Sequence, residues 1–67
     1  MNIKSPMVWF YDILDTHIAL IHGCRLGVVP SLDFKIIIKG FKYRVISLDY
    51  NILNNTIEVY LGFEKEI

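Results

Sequence analysis

Cysteine is nearly absent from this sequence: Cys24 stands alone, so no disulfide framework holds the chain, and a reducing compartment is expected. Glycine is scarce and scattered at positions 23, 27, 40 and 62, in no spacing that cradles a phosphate, so no nucleotide cofactor is expected. Net charge is also missing. Seven Lys and Arg balance seven Asp and Glu, which removes the long-range field of a protein that grips phosphate backbones by charge alone. No long apolar run occurs either: the longest uncharged stretch, Thr16 to Cys24, is less than half of the ~20 residues that a membrane-spanning helix needs. The run Met7 to Tyr11, broken by Asp12, is too short for the core of an export signal. A cytoplasmic protein with no membrane partner is expected.

What the chain has in excess is apolar side chains. Hydrophobic residues make up 54% of its 67 positions, with nine aromatic residues and eleven isoleucines, and mean hydropathy is +0.42. Residues 1–67 fit one domain with one core, and a domain of this size buries only ~60% of the surface of its unfolded chain. Some apolar groups must therefore face solvent or a partner.

The clearest periodicity lies in the second half. Phe34, Ile36 and Ile38 alternate with Lys35, Ile37 and Lys39, Lys39-Gly40 supplies a two-residue turn, and Phe41 to Val45 resumes the alternation. The implied register sets Ile38 against Phe41, Ile36 against Tyr43 and Phe34 against Val45 on a buried face. Ile37/Lys42 and Lys35/Arg44 then pair on the other face. Ile46, Leu48 and Tyr50 run in the opposite phase, which predicts a β-bulge near Ile46-Ser47. A loop through Asn51 to Asn55 leads to a third strand with Ile57, Val59 and Leu61 inward. That strand can bring Asp49 opposite Glu58.

The first half reads two ways. Val8-Trp9-Phe10-Tyr11 and Ile18 to Ile21 are β-prone, with a turn at Leu14-Asp15-Thr16 between them. The alternative is a helix from Pro6 to His22, capped by Ser5 and ended by Gly23, packed on a three-stranded sheet in an α+β fold. Strands are preferred because a Trp-Phe-Tyr run favours them. The fold expected is all-β: a small five-stranded meander or partly open β-barrel of the SH3-like or OB-like kind, which suppresses exposed edges by curling.

Chemistry is sparse. His17, His22 and Cys24 are the only nitrogen or sulfur ligands, one short of a structural zinc site, and in a strand only His22 and Cys24 share a face. Nothing identifies an orienting group or oxyanion hole for Cys24 with His22, and the acidic pairs Asp12/Asp15 and Asp49/Glu58 read as solvated charge. No metal, cofactor or enzymatic activity is expected. Binding is. Lys35, Lys42 and Arg44 form a basic row that a barrel of this kind can use on single-stranded nucleic acid. Trp9, Tyr11, Tyr50 and Tyr60 have no evident place inside and are of the types enriched at protein interfaces. A homodimer, or a monomer presenting an aromatic patch to a protein target, follows from the apolar surplus.

The segment Val29 to Asp33, with Ile36, Ile38, Gly40, Tyr43-Arg44-Val45 and Asn55 to Leu61, resembles small phage and prophage β-proteins over roughly the last forty residues. The resemblance carries no catalytic signature. It implies an accessory protein in an infected bacterium's cytoplasm that inhibits a host enzyme or defence system by occupying its surface. High Ile, Asn and Lys with the single Ala19 fits an AT-rich genome.

Overall fold

The computed structural model describes residues 5–14 and 17–67. All regular structure there is β: β1 (Met7–Ile13), β2 (Ile18–Arg25), β3 (Lys35–Ile38), β4 (Phe41–Asn51) and β5 (Thr56–Glu66). The helix alternative over Pro6 to His22 is thus overturned. Period-two burial wins there, with Val8 and Phe10 in the core and Trp9 and Tyr11 on the opposite face. Of the expected turn between these strands, Leu14 N–H donates to the His17 carbonyl at 2.9 Å, while Asp15 and Thr16 lie outside the described residues.

One mixed sheet holds all five strands in the order β2-β1-β5-β4-β3 and curls into a half-barrel. The meander covers β3, β4 and β5. The first hairpin joins it by a parallel ladder in which Val8 meets Ile57 and Phe10 meets Val59. These four close the core with Leu61, Val45 and Tyr43, and Ile21, Cys24, Leu26, Ile36, Ile38 and Leu48 pack around them.

The β3–β4 register is the one that alternation implies, from Lys35/Arg44 to Ile38/Phe41. Its turn uses two left-handed residues, Lys39 (φ 52°) and Gly40 (φ 85°), the backbone whose twist matches a tight hairpin. The bulge near Ile46-Ser47 is present. Val45 faces Leu61, Ser47 faces Tyr60, and Ile46 is the extra residue, which returns Leu48 to the core side. Two further bulges insert Ile21 in β2 and Glu64 in β5. At the β4–β5 turn the Asn51 side chain accepts a hydrogen bond from Asn54 N–H at 3.2 Å, and Asn55 takes φ 52°.

Two residues assigned to the buried row are not buried. Phe34 is 50% exposed and Phe41 38%. Asp33 turns left-handed (φ 68°), and both Asp33 and Phe34 hydrogen-bond Val45, so Phe34 lies at the outer edge with β4 on one side only. Phe41 sits at the hairpin tip, where its ring lies 6.0 Å from that of Phe63. β2 and β3 are the two unpaired edges, and the connection between them crosses one end of the concave face with Pro30 buried.

Glycine is required opposite Trp9. A Cβ on Gly23 would stand 2.5 Å from Trp9 Cε3, because the indole lies flat on the β2 backbone. Gly23→Ala is therefore expected to cost about 1–3 kcal/mol in urea denaturation, with part recovered by adding Trp9→Leu. An unchanged midpoint would mean that the indole is not seated there.

Candidate protein-binding surfaces

The convex face collects six of the seven residues singled out for binding, three of them aromatic. Tyr11 and Tyr60 are register neighbours on parallel strands, and their rings stack at 5.4 Å and 23°. Trp9 lies two pairs along the same ladder, beside Glu58. All three are half-buried, since they cover one another and the Gly23 backbone. The Tyr60 hydroxyl donates to Glu58 Oε2 at 2.7 Å, so the Asp49/Glu58 pair, opposite one another as expected, has one carboxylate engaged. Tyr50 is not part of this group. It lies 59% exposed near the β4–β5 turn, on the face opposite to the three, and its hydroxyl donates to Asn55 Oδ1 at 3.2 Å.

The basic row also shares the convex face, but it is not free. Glu64, the bulge residue of β5, forms an ion pair with Lys35 and lies 4.0 Å from Arg44 Nε. The hydrogen bond from Lys35 is the main cause that holds the Glu64 carboxyl below its usual range. Lys42 is half-buried against its neighbours Ile37 and Lys65. Part of the cationic field of Lys35, Lys42 and Arg44 is thus cancelled locally. One ring face of Tyr11 and of Tyr60 is spent on the other rather than offered to a base.

The concave side holds what alternation could not reveal. Between the free edges of β2 and β3 runs an apolar trench of about 410 Å³, floored by Phe10 and walled by Cys24 and Leu26 on one side and Ile36 to Ile38 on the other. Pro30 closes one end. Toward the other end it continues into a hollow of about 310 Å³ between Leu20, Ile21, Ile38, Phe41 and Tyr43. Near Tyr43 the carboxylate of Asp12 turns inward, and its Oδ1 is buried without a hydrogen-bond donor. Burial pushes the Tyr43 phenol up, and the Asp12 charge adds to this. His22 and Cys24 share the trench, as a common strand face requires, with the His22 ring 6.1 Å from Phe10. No three potential metal ligands gather among the described residues. Likewise, no helix among them is long and apolar enough to cross a membrane.

Comparison with protein-family models, with curated proteins and with solved structures found no match.

One titration reports on the convex face. The hydrogen bond to Glu58 favours the neutral phenol and pushes Tyr60 from 10.0 up to about 12. Its contribution to stability is complete below pH 10 and is lost as the pH climbs toward 12. Alkaline titration followed by NMR of the Tyr60 ring should show it ionising near 12, and Glu58→Ala should bring it back toward 10. A Tyr60 that titrates near 10 in both proteins would show that this hydrogen bond is absent in solution.

Proposed function

We propose that this chain is a small accessory protein that works by binding another protein, without catalysis. The observation that carries the reading is the concave trench: an apolar surface beside two strand edges unpaired among the described residues, where Phe10 of the core and the side chains packed around it stay open on one side. Concave apolar surface with a few polar groups is the usual form of a binding site. Unpaired edges add main-chain hydrogen bonds to what it offers. In the setting implied by the resemblance to phage and prophage β-proteins, the partner is a host enzyme or defence component in the bacterial cytoplasm, inhibited by having its surface occupied. Single-stranded nucleic acid on Lys35, Lys42 and Arg44 has less support, because Glu64 holds Lys35 and lies near Arg44.

Capture from a bacterial lysate on the tagged chain tests this, with and without nuclease. His22→Asp alters the trench lining at an exposed position of β2 that pairs with inward-facing Phe10, so the fold should tolerate it. The expected result is a captured protein that survives nuclease and falls roughly tenfold or more with His22→Asp, as for a charge set into an apolar contact. Capture that disappears with nuclease, or that His22→Asp leaves unchanged, would overturn the reading.

A further inference from the structure

Two strands wall the trench, and their free edges differ. β3 has four residues and is bounded by Lys35 and Lys39. Shortness and lysine are the means by which an edge is kept from pairing. β2 has eight residues, no proline, and no Asp, Glu, Lys or Arg from Ile18 to Cys24. It also presents Ile18 and Leu20 at 56% and 55% exposure. Its bulge at Ile21 apart, β2 lacks these guards, and a long apolar edge of this kind is a pairing site.

The surface area points the same way. The chain exposes 4930 Å², against the ~4,400 Å² of a typical monomer of this mass. Zero net charge leaves two copies without mutual repulsion. An antiparallel pair of identical strands has a two-fold axis normal to the sheet, so one patch serves both partners and the interface closes on itself.

From this we infer that the trench is covered by a second copy of the chain, paired antiparallel along β2. The inference rests on the reading of the trench as a protein-binding surface and takes a second copy, in place of a host protein, as its occupant. Each sheet then continues into its partner with the concave faces on one side, and the copy's β2 lies over the gap that β3 borders. A stable dimer needs roughly 800 Å² from each partner, about a sixth of the surface present.

Sedimentation equilibrium of the full chain over a roughly hundredfold concentration range reads the result. The mass should rise from 7.8 kDa to twice that value. Leu20→Lys should weaken the dimer roughly tenfold or more, since it gives β2 the guard that it lacks, with an unchanged circular dichroism spectrum. Leu53→Lys, at a 96% exposed turn residue, controls for unspecific apolar association and should change nothing. A 7.8 kDa species at every concentration would overturn the inference. So would equal weakening by Leu53→Lys. A monomer that still captures a nuclease-resistant protein dependent on His22 would remove the second copy alone and leave the trench as a site for another protein.

Discussion

The parallel ladder between β1 and β5 is the constraint on which the molecule depends. Among the described residues it is the only ladder that joins the first hairpin to the β3–β4–β5 meander, and its inward pairs, Val8 with Ile57 and Phe10 with Val59, form the middle of the core. Two-stranded hairpins are marginal alone in water, so β1 and β2 gain their stability from this contact. The same ladder aligns Tyr11 with Tyr60 on the convex side. It therefore sets the core and the aromatic cluster at once.

Curvature comes from the three bulges. Each sets two residues against one, bends its strand and raises the local twist. With Ile21, Ile46 and Glu64 inserted in β2, β4 and β5, the sheet turns its apolar rows inward while its edges stay apart. Closure stops short because the nine residues from Leu26 to Phe34 cross only one end of the concave face. Beyond that end no strand of the described residues pairs with the outer edge of β2 or of β3. The trench is the space left over.

Local patterns were legible and long-range ones were not. Alternation from Phe34 to Val45, the Lys39-Gly40 turn and the phase reversal at Ile46 fix the central hairpin and its bulge, because each depends on residues close in sequence. Burial of Phe34 and Phe41 was misjudged for a non-local reason: alternation names the face of a side chain, and neighbouring strands decide whether that face is covered. The helix signals at Ser5, Pro6 and Gly23 gave way to tertiary pairing. Of the binding candidates, Trp9, Tyr11 and Tyr60 meet as a group, but no pattern in the sequence announces a parallel partner for β1. The trench was hidden for the same reason, although His22 and Cys24 on one strand face were its visible fragment.

Sequence distance across the β1–β5 ladder bears on how the fold is reached. Val8 and Ile57 are 49 positions apart, and the core cannot close until β5 is available to β1. Hairpins form in about 1–10 μs, whereas pairings between distant segments must first meet a large loop-closure cost. During synthesis at about 5–20 residues per second, the first hairpin waits for seconds with Val8 and Phe10 uncovered. The interval is a window for chaperone engagement, and it is written into the strand order itself.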